Sequence, residues 1–304
     1  MITLTDNNES LKTIYHFMLK PIYTSLFLLL SCLVNAQIIS DSIQIDGNYR
    51  SFHFKKPEQL TRGYSLVFVM HGSGGNGKQM MERASSILDI SSSEKFIAVF
   101  PTGYKNYWNE CRMKAPSLAN VENINEEAFF IQMIEYFKKN YKINESNVFA
   151  VGTSGGGHMA FKLGLTIPKY FRGITAIVAN LPDTNNLDCP QMLKPMNLLI
   201  VNGTEDKTNP YDGGEVILGS GNFGHVRSTE NTFQYWASLA GYVENPNKES
   251  LPDTDPTDGK TIEKYSYSGR EKKIILLKVI GGKHNYPNDI DVHRYAWDFF
   301  KSTF

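Results

Sequence analysis

FAVGTSGGGHMAF, Phe149 to Phe161, sets one serine among four glycines, between an apolar run and a segment with helical apolar spacing. Glycine inside a strand or helix costs roughly 0.5–1 kcal/mol relative to alanine, so such density needs a backbone reason. A tight strand-to-helix turn supplies one, provided it holds Ser154 in a strained, exposed pose. Gly152-Thr153-Ser154-Gly155-Gly156 fits G-x-S-x-G, after the predicted strand VFAV and before the predicted helix GGHMAFKLGL. That context is what a nucleophile elbow requires. The alternative is a glycine-rich turn that merely packs a helix onto a sheet.

Outward from this turn, strands and helices alternate. SLVFVMHG (Ser65–Gly72) and KFIAVFP (Lys95–Pro101) are apolar, buried-type runs, as are Asn147–Val151, Gly173–Ala179, Met196–Asn202 and Lys273–Ile280. Helical spacing covers Lys78–Ile90, Asn125–Tyr141, Gly155–Ile167, Ser228–Ala240 and Asp291–Phe300. SIQIDGNYRSFHF (Ser42–Phe54) alternates around Asp46-Gly47, a hairpin signal. Strands separated by helices imply βαβ units, hence an α/β fold with a mainly parallel central sheet and helices on both faces. Asn180–Lys194 and Val243–Gly259 read as loops. The second carries Asp253, Asp255 and Asp258, but prolines interrupt it and it lacks the spacing and terminal bidentate Glu of a calcium loop. It is read as a solvated loop, and no metal is assigned.

The 304 residues are 41% hydrophobic, with 31 basic and 31 acidic side chains and no formal net charge. This composition is globular, and it carries no basic footprint for nucleic acid or an anionic membrane. A neutral or weakly charged ligand is expected. MLKPIYTSLFLLLSCLVNAQ (Met18–Gln37) has Lys20, an apolar core from Ile22 to Val34, and small residues before Ala36. This is a secretory signal pattern with cleavage after Ala36, too short for a membrane span of about 20 residues. Residues 1–36 are therefore a signal segment, with Met18 a candidate start, and 37–304 a single catalytic domain. Cys32 after Leu-Leu-Ser resembles a lipoprotein site, but the apolar residues that follow favour simple export. Two cysteines remain, Cys111 and Cys189. They either form a disulfide in an oxidising compartment or stay as two buried thiols.

A serine hydroxyl needs a base, and the base needs an orienting carboxylate. In this arrangement the chain order is Ser, then acid, then His. Past the strand Met196–Asn202 lies GTEDKTNPYDGGE, in which Asp206 falls where the acid belongs; Glu205 and Asp212 are the fallbacks. The last strand runs into GGKHNYPN, so His284 has both the right order and the right strand edge. His16 and His53 precede the serine, His225 lies in a loop before a helix, and His293 lies in the closing helix. His158 is read as packing beneath the elbow. The oxyanion needs preorganised donors. The Gly155 N–H follows the nucleophile directly. The second comes from His71-Gly72-Ser73-Gly74-Gly75, with Ser73 favoured and Gly72 or Gly74 open. No phosphate-binding G-x-x-x-x-G-K-[ST] is present, since Gln79 follows Lys78.

With these residues in view, the chain resembles the secreted polyhydroxybutyrate depolymerase and feruloyl esterase group of the α/β-hydrolases, kin to carbohydrate esterase family one. The resemblance spans about Ile43 to Phe300. It rests on MHGSGGNG, FPTGYKNYWNECR, VGTSGGGHMA, NGTEDKTNPYDGGE, STENTFQYWASLAGY and GGKHNYP, in that order. It implies the α/β-hydrolase fold and a triad of Ser154, Asp206 and His284. It also implies substrate-binding roles for Trp108, His71 and Tyr286. Lys283 and Tyr286 stand where the group has glycine and tryptophan, which touches substrate preference more than chemistry.

The expected activity is a secreted, monomeric serine ester hydrolase that needs no cofactor. Its substrates would be hydroxyalkanoate esters, or feruloyl or acetyl esters of plant polysaccharide. No polymer-binding module is read in the chain, which favours soluble esters or oligomers. A serine peptidase of the same fold and a non-catalytic binding protein on this scaffold are the rival readings.

Overall fold

The computed structural model describes residues 37–57, 61–91 and 93–304. Residues 1–36, read above as a signal segment and holding Met18, His16 and Cys32, lie outside the described residues. Ala36–Phe304 forms one compact unit. β1 (Ile38–Ile45) and β2 (Asn48–Lys55) make the hairpin around Asp46-Gly47. β3 (Ser65–Met70), α1 (Gly77–Arg83) and α2 (Ser85–Ser91) lead to β4 (Phe96–Pro101). α3 (Leu118–Val121) and α4 (Glu126–Tyr141) precede β5 (Val148–Thr153), and α5 (Gly155–Thr166) precedes β6 (Gly173–Ile177). β7 (Asn197–Gly203), the hairpin β8 (Gly214–Leu218) and β9 (Gly221–Val226), and α6 (Thr229–Leu239) come next. β10 (Asn247–Ser250), β11 (Thr261–Tyr267), β12 (Ile274–Ile280) and α7 (Val292–Lys301) follow.

One sheet has the order β1-β2-β4-β3-β5-β6-β7-β12-β11-β10. From β4 to β12 every neighbour pair is parallel, and antiparallel strands flank that block on both sides. Side chains of a strand alternate between faces, so an apolar run feeds two cores at once. In β3, Leu66, Phe68 and Met70 join one core, with Phe130 of α4, Met159 of α5 and Trp236 of α6. Val67 and Val69 join the other, with Met80 of α1, Ile87 of α2 and Trp297 of α7. β7 divides the same way, Leu198 and Ile200 against Leu199 and Val201. Each large apolar side chain so buried contributes roughly 1.5–3 kcal/mol. The chain has the α/β-hydrolase architecture, with the parallel strands delivering their C-terminal ends to one rim.

Some elements differ from the reading of local pattern. The helical spacing over Lys78–Ile90 is two helices, because Ala84 (φ −101°, ψ 37°) interrupts it. Val243–Gly259 is not all loop. β10 within it is an edge strand whose side chains are all exposed, so no period marks it. Lys248 with Glu263 and Lys264 with Glu249 pair it to β11 at 2.7 Å each. Charged side chains of this kind blunt a sheet edge. The β8–β9 hairpin, turned at Gly219-Ser220, forms a separate small sheet over Ala115. Of the two fates open to Cys111 and Cys189, the structure shows the disulfide, with 5.1 Å between Cα atoms and a sequence separation of 78. Closing a loop of that length lowers unfolded-chain entropy by about 4–5 kcal/mol.

Candidate active site

β5 ends at Thr153 and α5 begins at Gly155, which leaves Ser154 alone to turn the chain. Its backbone sits at φ 54°, ψ −117°, a region that costs a non-glycine residue of order 1–3 kcal/mol. Two backbone bonds hold it there: its N–H donates to Ile177 O at 2.8 Å, and its carbonyl accepts from His158 N at 3.0 Å. The turn closes only if its two arms nearly touch. A methyl built on Gly152 would overlap the backbone of Gly156, and no side chain lies there to give way.

The loop after β7 carries Asp206, whose side chain is almost wholly buried. Oδ1 accepts from the backbone N–H groups of Thr208 and Asn209, both at 2.8 Å. Oδ2 is thereby left facing His284 Nδ1 at 2.7 Å. Nδ1 carries the proton of that bond, so Nε2 presents its lone pair to Ser154 Oγ at 3.0 Å. Three residues separated by 52 and 78 positions thus form one hydrogen-bonded chain at the rim of the sheet. Glu205 and Asp212, the fallback acids, are exposed. Asn202 braces the rim from within: its amide bonds both backbone groups of Ala179 at 3.1 Å. Only its position at a strand end could have singled it out in the sequence.

The second loop arrives from β3. A Cβ on Gly155 would lie 2.5 Å from Ser73 Oγ and 2.9 Å from Ser73 N, so the two backbone amides are neighbours. Neither donates to an acceptor among the described residues. Three contacts to the segment after β4 hold the Ser73 loop. Gly74 N donates to Asn106 O at 2.9 Å. Gly103 N donates to His71 Nε2 at 2.9 Å, and Trp108 Nε1 to His71 O at 2.9 Å. That segment is itself anchored by Glu126, whose carboxylate accepts from Asn109 N at 3.1 Å and Arg50 at 2.8 Å.

This packing places two of the residues expected to bind substrate largely behind the loop. Trp108 and His71 are each 2% exposed and lie ring against ring at 4.8 Å. They brace the loop from behind, and of the two only His71 borders the small cavity beside Ser73. Tyr286 turns inward as well, its hydroxyl 2.7 Å from Thr153 Oγ1 and its ring edge-on to His293. His158 is buried on α5 beneath the elbow, while His225 is exposed on β9. Asp258, in the acidic loop, pairs with Lys260 at 2.7 Å.

Burial also sets an acid limit on the fold. It lowers His71 to about 4, with its Nδ1 donating to Gly72 O, and lowers His293 to about 4. It holds His158 well below the ordinary value of 6.5. An unfolded chain protonates these rings first, so their contribution is complete above pH 6.5 and is lost as pH falls toward 4. For His71 and His293 the loss is on the order of 3 kcal/mol each. Glu126 and Asp188, raised by burial, act in the opposite sense, while His53, also lowered by burial, adds to the effect. Thermal melts at constant ionic strength should show the melting temperature falling steadily from pH 6.5 to 4.5. A flat profile there would exclude neutral buried histidines.

No family model matches the chain. NocK of Nocardia uniformis, named as an esterase, is 23% identical over 244 residues, which cover 78% of this chain and 70% of NocK. Feruloyl esterase C of Emericella nidulans is 25% identical over 180 residues, 57% of this chain and 60% of that enzyme. Among solved structures, the acetyl xylan esterase from Aspergillus awamori superposes with a TM-score of 0.60 at 15% identity, over 86% of this chain and 99% of that one. That likeness shows a shared α/β-hydrolase fold.

Proposed function

We propose that this chain, a carboxylic ester hydrolase of the α/β-hydrolase fold, works through an acyl-enzyme on Ser154. The observation that carries this reading is the unbroken chain Asp206–His284–Ser154, with bonds of 2.7 and 3.0 Å. His284 Nε2 takes the hydroxyl proton as Ser154 Oγ attacks the ester carbonyl. Asp206 keeps Nδ1 protonated and steadies the imidazolium that forms. The Ser73 and Gly155 amides stabilise the oxyanion; a donor of this kind typically contributes 10²–10³ in rate. The C–O bond then breaks, and His284 gives its proton to the leaving alcohol. Water, deprotonated by the same imidazole, attacks the acyl-enzyme, and the acid leaves as Ser154 recovers its proton.

The substrates in this reading are feruloyl or acetyl esters of plant polysaccharide, as the names of the relatives suggest, or hydroxyalkanoate oligomers, as the sequence motifs suggest. Residues 1–36 serve as an export signal cleaved near Ala36, and 37–304 as the secreted catalytic domain, a monomer. No helix among the described residues is long and apolar enough to cross a membrane. A fluorophosphonate should label wild type at the peptide containing Ser154 and abolish hydrolysis in parallel. Turnover should be seen on at least one of methyl ferulate, acetylated xylan and hydroxybutyrate oligomers. Activity that persists in fully labelled protein, or a label on another serine, would remove Ser154 from its role.

A further inference from the structure

Beside the Ser73 loop lies a cavity of about 270 Å³, lined by the loop His71–Asn76 and by Gln79, Met80 and Arg83. Gly72 ties it to the chemistry, since a Cβ there would stand 3.5 Å from Ser154 Cβ and 4.0 Å from its hydroxyl. Gln79, Met80 and Arg83, at intervals of one and three, lie on one face of α1, and Asn76 caps its N-terminus on the same side. A long helical side chain leans toward the helix N-terminus, so Arg83 leans back toward the loop.

Arg83 differs from arginines used for structure here. Arg50 is buried against Glu126 and Arg112 against Glu110. Arg83 is exposed, makes no hydrogen bond or ion pair among the described residues, and no carboxylate lines the cavity it faces. Salt screens its charge beyond about 10 Å, so it acts chiefly on what enters the cavity.

We infer that this cavity is a subsite for a free carboxylate on the ester substrate, with Arg83 as the residue that sets the preference. Guanidinium matches carboxylate geometry with two parallel N–H bonds, which a neutral ester cannot engage. The volume admits a short carbon chain ending in that carboxylate. The substrate class is therefore a half-ester of a dicarboxylic acid, with the charge on the acid side, or the carboxyl end of a short hydroxyalkanoate oligomer, with the charge on the alcohol side. This inference rests on Ser154 being the nucleophile.

Two matched pairs of esters test it. An aryl butyrate against an aryl hydrogen glutarate carries the charge on the acid side. Butyl butyrate against 4-(butanoyloxy)butanoate carries it on the alcohol side. The readout is the ratio of kcat/KM, anionic over neutral, in wild type, Arg83→Gln, Arg83→Lys and Arg83→Glu. In one pair, Arg83→Gln should lower that ratio about tenfold, mainly through KM, as expected for loss of a charge-assisted contact. Arg83→Lys should restore part of it, Arg83→Glu should lower it further, and about 0.5 M salt should shrink it in wild type. The pair that responds tells which side of the ester occupies the cavity. Ratios unmoved by both Arg83→Gln and Arg83→Glu in both pairs would overturn the subsite alone. Wild-type rates for the neutral esters in Ser154→Ala would instead overturn the nucleophile, and the subsite with it.

Discussion

Ser154→Ala should lower kcat/KM for a short-chain aryl ester by roughly 10⁴- to 10⁶-fold, the scale on which loss of a triad serine is felt. The physical reason is that no group near the elbow can replace an alkoxide formed against a pre-aligned imidazole. His284 would keep its bond to Asp206, and in the proposed mechanism the Ser73 and Gly155 amides would still bind the substrate oxygen. What survives is therefore binding and polarisation, worth 10³–10⁴ over water. The fold should be unaffected, because the side chain of Ser154 caps no helix and, among the described residues, hydrogen-bonds His284 alone. Steady-state kinetics beside a thermal melt separate the two effects. Turnover within tenfold of wild type, at an unchanged melting temperature, would end the case for an acyl-enzyme at this residue.

The second large effect is structural and comes from adding one methyl group. Gly152→Ala should destabilise the protein on the order of 3–5 kcal/mol, at the upper end of single-substitution effects. The new Cβ would meet the carbonyl of Gly156 and the nitrogen of Gly157, which are backbone atoms at the start of a buried helix. Relief requires moving α5 away from β5, and α5 is packed on both β5 and β6 through Met159, Ala160 and Leu163. Protein that still folds should carry Ser154 displaced from His284, and a displacement near 1 Å costs about 10²-fold in rate. Chemical denaturation and kcat/KM on the same preparation test both halves. A variant that melts and turns over like wild type would mean that the turn is not closed as described.

The sheet and its helices were legible because apolar runs and helical spacing are local signals, and β3, β5 and β7 carry them without interruption. The polar edge was not legible in the same way. In β10, Asn247–Ser250 has no buried side chain, so nothing in its own sequence separates it from a loop. It becomes a strand because β11 offers it a ladder. The hairpin of β8 and β9 owes its place to contacts with Ala115 and Tyr107, far away in the chain.

At the site, the glycine pattern around Ser154, the position of Asp206 after a strand and the position of His284 after the last one could all be read from order alone. Burial could not. Trp108 and His71 stand in conspicuous motifs, yet the segment after β4 folds over both and turns them into supports. Arg83 has no motif and is visible only because it lines, with the loop after β3, a cavity beside Ser154. By itself the sequence determined which strands form, in what alternation with helices, and which residue types reach the sheet's rim, since periodicity and turn chemistry act over a few neighbours. Tertiary structure alone decided which of those side chains touch and which face open space. It also decided that Cys111 meets Cys189, because each contact joins positions whose separation no local rule can span.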